Sequence, residues 1–265
     1  MQGLSEFLPI SSSGHLLLVP DLLGWNDFGG DDSLEKSFDV ALHLGTLIAA
    51  LWYFRNDLLV YLRAALRSIR IRSIDNTEAR LAWLLLLSAI PGAIIGAAFT
   101  SVIEEELGDP ILIGINLIVF GLLLEWADHA TAARPTDDFH GRDAVIMGFA
   151  QAVALAPGVS RSGVTITAGR WLRFDRQSAT RLSFLMAIPI TGGATLFKGV
   201  ELARDGIPSG FGGAFFWGVV ASGISGFIAI AFLLKFVQTH TFRPFVIYRV
   251  VLGIAVIIIF ATGIR

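Results

Sequence analysis

The sequence predicts an all-α integral membrane protein of about six transmembrane helices plus two re-entrant broken-helix segments, arranged as an inverted-topology repeat. Three observations carry this prediction. Over half of the 265 residues are hydrophobic and only 16% are charged, giving a mean hydropathy of +0.68. Two short stretches, Gln2–His15 (QGLSEFLPISSSGH) and Gln151–Thr165 (QAVALAPGVSRSGVT), look like copies of each other. One offset places Gln2 on Gln151, Ser11 on Ser160, Ser13 on Ser162 and Gly14 on Gly163. Lastly, the basic residues divide unequally between the loops.

Each element follows from the spacing of charges, because a hydrocarbon core about 30 Å thick needs about 20 apolar residues in a helix. The first copy is a hydroxyl-rich break beside Pro9, followed by apolar Leu16–Leu23 and an acidic, Gly-rich loop over 21–39. By symmetry with the second copy, roughly ten further apolar residues are expected upstream of Met1. Phe38–Phe54 makes a short span ending on the aromatic cluster Trp52, Tyr53 and Phe54, as expected at a membrane interface. Arg55–Arg80 reads as an amphipathic stretch on the membrane surface. Leu81–Ile103 is a span kinked at Pro91 and Gly92, Glu104–Asp109 an acidic turn, Pro110–Trp126 a returning span and Asp128–Asp143 a polar loop. Ala144–Gly169 holds the second break at Pro157–Gly163, Arg170–Arg181 reads as a basic loop, and Leu182–Phe197, Gly213–Leu234 and Phe245–Gly263 complete the spans. The chain is a single polytopic domain, 1–265, with repeat halves roughly 1–127 and 144–265.

Alternating the spans places 14 of the 20 basic residues on one side and 4 on the other, with Arg161 and Arg249 inside the membrane. The positive-inside rule makes the richer side cytoplasmic. The two breaks then enter from opposite faces, as in inverted repeats. A β-barrel would need recurrent alternating strands, which are missing. With no cysteine there is neither a disulfide nor a thiolate metal site, and the near-neutral charge balance argues against a nucleic-acid partner.

Non-helical backbone survives at membrane depth only when buried in protein or lining a wet cavity. Ser and Gly alone would suit close helix packing, but here a carboxylate, a guanidinium and an imidazole sit among the serines. Such groups in the membrane are costly and mark function. Arg161, between Ser160 and Ser162, suits an oxyanion because a planar guanidinium offers paired donors to phosphate. A helix beginning near Gly163 would aim free N–H groups at the same charge, with the Thr165 hydroxyl adding a donor in its first turn. Glu6 is an oxygen ligand for a hard divalent cation, Mg²⁺ or Ca²⁺, and Gln2, one turn away, adds a neutral oxygen. His15 is a candidate acid or base, and Ser11, Ser12 and Ser13 contain a candidate nucleophile.

Elsewhere, Asp31, Asp32, Glu35 and Glu104–Glu106 read as solvated loop charges. His43, inside a span, fits a cavity role and a structural hydrogen bond equally. Arg249 is expected to pair with a carboxylate such as Glu125 or to snorkel toward an interface. His129, His140 and His240 lack metal-ligand spacing.

The segments Gln2–His15 and Pro157–Thr165, in this order and within this hydrophobic layout, resemble the signature of the undecaprenyl-diphosphate phosphatase (bacitracin-resistance) family; His43-Leu-Gly-Thr46 also resembles a family segment. The resemblance covers essentially the whole chain. It implies a hydrolase of the cell membrane that removes the terminal phosphate of a polyprenyl diphosphate and regenerates the monophosphate carrier for cell-wall glycan synthesis. It also implies divalent-metal dependence and homodimers. By position, Glu6 matches the family's essential acidic residue, Ser12 the proposed nucleophile, His15 the nearby histidine and Arg161 the diphosphate-binding arginine. Ser11, Ser13, Ser160, Ser162, Gly163 and Thr165 line the same pocket. Gln2 stands where a second carboxylate is found in other members, so a two-glutamate metal site is absent. Attack by Ser12, by His15-assisted water or by His15 itself remain open. A polyprenyl-phosphate transporter or flippase is the alternative, since inverted repeats and broken helices also build transporters. It would bind and move the lipid without releasing phosphate.

Overall fold

The computed structural model describes residues 1–25, 32–99, 107–205 and 210–262, and its regular elements there are helical. In chain order they are α1 (Gln2–Phe7), α2 (Ser12–Leu23), α3 (Asp32–Tyr53), α4 (Arg55–Ile71), α5 (Thr77–Ala98), α6 (Pro110–Asp128), α7 (Gly141–Val153), α8 (Arg161–Trp171), α9 (Arg176–Asp205), α10 (Gly212–Phe236) and α11 (Arg243–Thr262). The acidic turn at 104–106, and Asp31 within the acidic loop, fall outside the described residues.

Among the described residues five helices, α5, α6, α9, α10 and α11, are long and apolar enough to cross a membrane, and the bent pair α3–α4 makes a sixth if it is counted as one span. Between 22% and 33% of each of the five spans' most apolar window is buried inside the protein. The remaining apolar surface faces outward, where Phe216, Trp217, Leu196 and Phe197 are mostly exposed; only lipid makes such a surface favourable. The protein is therefore a multi-pass membrane protein.

The two copies fold as anticipated, each into a broken helix pair: α1 and α2 around residues 8–11, α7 and α8 around residues 154–160. Their packing partners are interchanged between the halves. The first helix of the first pair, α1, packs on α10, whereas α7 packs on α5; α3 packs on α10 and α9 on α5; α3 and α9 pack on each other. The last spans of the two halves, α6 and α11, cross at glycines. A methyl on Gly253 would sit 2.6 Å from the Gly114 carbonyl oxygen, and one on Gly114 would sit 3.0 Å from that of Gly253.

Local chemistry explains the boundaries. Asn76 caps α5 by accepting from Ala79 N–H at 2.9 Å, and Asp109 caps α6 by accepting from Leu112 N–H at 3.0 Å, with Pro110 at the first helical position. Such caps satisfy donors that the helix itself leaves free. α4 leaves α3 at 78° and carries the expected amphipathic stretch, held to α5 by Trp83 Nε1–H donating to Ser68 Oγ at 3.0 Å.

The basic segment 170–181 is not a loop. α8 runs to Trp171 and α9 starts at Arg176, because the intervening turn is satisfied locally: Asp175 accepts from Ser178 N–H at 2.7 Å, and Arg170 donates to the carbonyls of Phe174, Asp128 and Ala130. Segments assigned to the basic side of the membrane do meet at one end. Arg181 pairs with Asp57, Arg134 with Asp143, and Arg176 with Asp128, which also accepts from Phe242 N–H.

Candidate active site

The two breaks are copies in geometry as well as in sequence. Ser11 and Ser160 both adopt positive φ, 75° and 70°, a region costly for any residue with a side chain. Each caps the helix that follows: Gly14 N–H donates to Ser11 Oγ at 3.3 Å and Gly163 N–H to Ser160 Oγ at 3.1 Å. Each hydroxyl also lies against the serine two places on, Ser13 at 3.4 Å and Ser162 at 3.3 Å. The second helix therefore starts at Arg161, two residues before the expected Gly163. The N-termini of α2 and α8 converge, and the first N–H groups of each have no acceptor within their own helix.

Glu6 is the junction between the copies. One carboxylate oxygen, Oε2, accepts from Ser12 Oγ at 2.6 Å and from Gln2 Nε2 at 3.1 Å, while Oε1 accepts from Arg161 Nη2 at 2.9 Å. Glu6 is 7% exposed and the Arg161 side chain 15%, so this cross-repeat pair sits in a low-dielectric setting where charge-assisted bonds are strong. The other arm of the fork, Arg161 Nη1, is buried without a hydrogen-bond partner. Ser162 Oγ donates to the Leu8 carbonyl at 3.0 Å, a second tie between the breaks.

Around this junction lies a cavity of about 340 Å³. Glu6, Ser12, Ser13, His43, Gln151, Ser160 and Arg161 line it together with the apolar Val40, Leu155, Ile190 and Ala194. A larger polar cavity of about 850 Å³ opens beside Asp128, Arg170 and Arg176. There Arg170 and Arg176 both pair with Asp128, whereas the smaller cavity joins residues of both breaks and carries the half-paired Arg161 guanidinium, so it is the better site.

Six residues singled out from sequence are not on the cavity wall: Gln2, Ser11, His15, Ser162, Gly163 and Thr165. Gln2 touches the site only through Glu6, Ser11 is turned to its own helix cap, Ser162 to the Leu8 carbonyl, and Gly163 lies against Arg249. The Thr165 hydroxyl is fully buried and lies 2.7 Å from both the Arg161 carbonyl and Ser183 Oγ; it ties α8 to α9 and does not face the cavity. His15 has Nδ1 2.6 Å from the Ser11 carbonyl and Nε2 2.6 Å from the Tyr248 hydroxyl. A carbonyl only accepts, so Nδ1–H donates to it and Nε2 accepts from the Tyr248 hydroxyl; His15 pins the strained Ser11 and does not line the cavity. His43, whose role the sequence left open, does line it. Its Nδ1–H donates to the Asp39 carbonyl at 2.8 Å, and Nε2 faces Glu6 Oε2 at 3.8 Å.

Arg249 departs most from expectation. It is fully buried and neither snorkels nor pairs with Glu125, whose ion-pair partner is His129. Its guanidinium donates to five carbonyls: Pro9 at 3.4 Å in the first break, Gly158 and Val159 at 3.0 Å in the second, and Leu117 and Asn116 of α6 at 3.1 and 3.4 Å. A membrane arginine without a carboxylate is legible only when carbonyls freed by broken helices are known to be nearby, which a linear motif does not reveal.

The residues fit a hard divalent cation that arrives with phosphate. Gln2 Oε1 is buried and without a partner, and it cannot be exchanged with Nε2, which must donate to Glu6. Among the described residues no group of three His, Asp or Glu side chains forms a metal cluster, so substrate oxygens would have to complete the coordination shell, the usual arrangement for Mg²⁺.

The chain is similar to known proteins over nearly its whole length. The profile of the family described as "Bacitracin resistance protein BacA" matches residues 1–255. A protein named undecaprenyl-diphosphatase from Pelobacter propionicus is 46% identical, over 100% of this chain and 95% of that protein. Proteins of the same name from Aliivibrio salmonicida and Geobacter sulfurreducens are 45% and 44% identical, covering 96% and 97% of this chain and 92% and 94% of theirs.

Proposed function

The chain belongs to the bacitracin resistance protein BacA family, and from that premise we propose how its paired breaks hydrolyse undecaprenyl diphosphate. The protein is a membrane hydrolase that releases the terminal phosphate and regenerates the monophosphate carrier for cell-wall glycan synthesis, an activity that confers bacitracin resistance. The observation that carries the mechanism is the short bond from Ser12 Oγ to a Glu6 carboxylate itself held by Arg161 of the other repeat.

In this reading the unpartnered Arg161 Nη1 and the free N–H groups opening α2 and α8 receive the diphosphate, and the apolar cavity wall receives the start of the prenyl chain. Ser12 Oγ attacks the terminal phosphorus as Glu6 takes its proton. The bond from that phosphorus to the bridging oxygen breaks, and undecaprenyl phosphate departs with the bridging oxygen's electron pair. Water then cleaves the serine phosphate ester, giving inorganic phosphate, while Glu6 returns its proton to the departing Ser12 Oγ and is again a carboxylate. His43 Nε2, on the cavity wall facing Glu6, is placed to take the water's proton. Developing negative charge falls on preorganised donors, the usual source of the largest rate gain. Glu6 and Gln2 Oε1 would hold a Mg²⁺ or Ca²⁺ ion, which supplies further neutralisation of the diphosphate when bound.

Residence in the plasma membrane and a homodimeric state belong to the same proposal; light scattering of the detergent-solubilised protein tests the second. The deciding experiment is phosphate release from a polyprenyl diphosphate by purified protein with added Mg²⁺ or Ca²⁺, with Glu6→Ala and Arg161→Ala beside the wild type. Release by the wild type and its loss in both folded variants is the expected result. A folded wild type that binds the lipid without releasing phosphate would overturn the hydrolytic mechanism in favour of transport.

A further inference from the structure

We propose that Arg249 is the positioning residue of this site: one guanidinium, buried behind the two breaks, holds them in register and so fixes Glu6 and Ser12 against Arg161. The inference rests on the hydrolytic reading above. It starts from an electrostatic puzzle, because a fully buried arginine in a membrane domain needs a counter-charge or a dense set of acceptors, and here the set is entirely backbone. The five carbonyls come from three separate pieces of chain: the first break, the second break and α6. Carbonyls at a helix break lack their intrahelical donors, so Arg249 and the breaks each satisfy what the other leaves open.

The surroundings are shaped to admit it. A methyl at Gly163 would fall 2.6 Å from Arg249 Nη1, and one at Gly121 would fall 3.3 Å from Arg249 Cβ. Gly158, whose carbonyl is one acceptor, is held at φ 88°, and Asn116 Nδ2–H donates to the neighbouring Pro157 carbonyl at 2.8 Å. Next to Arg249 on α11, Tyr248 holds His15, which in turn holds Ser11. Two consecutive residues of one helix thus grip the first break, and one of them also grips the second. Arg249 does not line the catalytic cavity and does not touch the reacting atoms; it acts through the backbone that carries them.

A lysine keeps the charge but gathers three donors on one nitrogen and cannot span these carbonyls. Arg249→Lys and Arg249→Met are compared with the wild type for kcat and KM on a polyprenyl diphosphate, scaled to the monodisperse folded fraction. Because small misplacements of reacting groups cost about 100-fold, Arg249→Lys is expected to lower kcat about 100-fold and kcat/KM by the same factor, the signature of a contact realised in the transition state. The protein contains no cysteine, so spin labels at Leu4→Cys and Val153→Cys report the separation of α1 and α7 directly. That distance distribution is expected to broaden in both Arg249 variants.

Full kcat in Arg249→Lys with loss only in Arg249→Met would assign the effect to charge and overturn positioning. Lower thermal stability with unchanged kcat per folded molecule and unchanged label distances would reduce Arg249 to a structural brace and overturn it too. If the wild type released no phosphate, the hydrolytic reading would fail separately, and positioning would fail with it unless the label distances broadened.

Discussion

Replacing Glu6 by glutamine removes a charge and a proton acceptor while keeping nearly the same volume. The carboxylate now takes three donors, from Ser12 at 2.6 Å, Arg161 at 2.9 Å and Gln2 at 3.1 Å. The introduced amide has one oxygen to offer them and turns its NH₂ toward one, so one contact becomes donor against donor unless Gln2 flips its unpartnered Oε1 inward. General-base catalysis contributes about 10²–10⁴-fold. A loss of about 10³-fold in kcat corresponds to about 4 kcal/mol of barrier. Binding should move the other way. A carboxylate beside a bound diphosphate repels it, by about 4 kcal/mol for unit charges 4 Å apart at an effective dielectric of 20, so in chelator KM for Glu6→Gln should stay level or fall, and only with Mg²⁺ or Ca²⁺ present does the lost cation ligand oppose that gain. Leaving the buried Arg161 without its counter-charge destabilises the protein by about 3 kcal/mol, so activity must be referred to folded protein. The assay is steady-state phosphate release over a substrate titration. A variant with near wild-type kcat and a raised KM would show that Glu6 binds the substrate without taking the proton, and the mechanism would be wrong.

The neighbouring serines separate by partner. Ser12→Ala should abolish turnover to at least about the 10³-fold loss of Glu6→Gln, whereas Ser13→Ala, whose hydroxyl meets Ser11 rather than Glu6, should lose far less; equal losses in single-turnover assays would count against Ser12 as nucleophile. Gly163→Ala and Gly14→Ala are equivalent in sequence but not in space. The first puts a methyl 2.6 Å from Arg249 Nη1 and the second meets nothing closer than 3.3 Å, so thermal unfolding in detergent should fall clearly further for Gly163→Ala, by about 1–3 kcal/mol. His15→Gln should cost about 1–3 kcal/mol of stability, from buried partners left unpaired, with a smaller fall in kcat than Glu6→Gln. A kcat loss as deep as that of Glu6→Gln, with stability unchanged, would return His15 to the chemistry.

Much of this architecture was readable because the membrane makes sequence unusually explicit. Spans are bounded by charges, and α5, α6, α10 and α11 fall close to the ranges hydropathy predicts. α3 and α9 run longer than expected, because their polar ends, including Glu35 and Arg176, continue in helix past the apolar stretch. The meeting of Glu6 with Arg161 was legible from the repeat itself, since inverted copies entering from opposite faces come together near the midplane. What could not be read were contacts whose acceptor is backbone. Arg249 searches for carbonyls, not for Glu125; Thr165 turns to Arg161 O, and His15 to Ser11 O. Residue identities do not report where a carbonyl is left free, and a helix break is where most of them are.

The division of labour between the copies follows from what each shares and does not share. The equivalent positions Ser11 and Ser160, Ser13 and Ser162, and Gly14 and Gly163 repeat the cap and the serine pair of the strained turn almost unchanged. That common part builds two helix N-termini with free donors, enough to hold an anion but not to cleave it. The charged positions are where the copies differ. The offset that aligns the serines sets Glu6 against Leu155 and Ser12 against Arg161. One copy therefore supplies an acceptor and a hydroxyl, the other a fixed positive charge. Were both copies to carry the carboxylate, two acids would crowd one cavity and repel the diphosphate; were both to carry the arginine, the Ser12 hydroxyl would be lost and Glu6 would have no proton to take. A symmetric cradle binds, and its asymmetric filling makes the bound phosphorus react. The separation between the copies is then the quantity that must be held constant, and Arg249, which takes carbonyls from both, is placed to hold it.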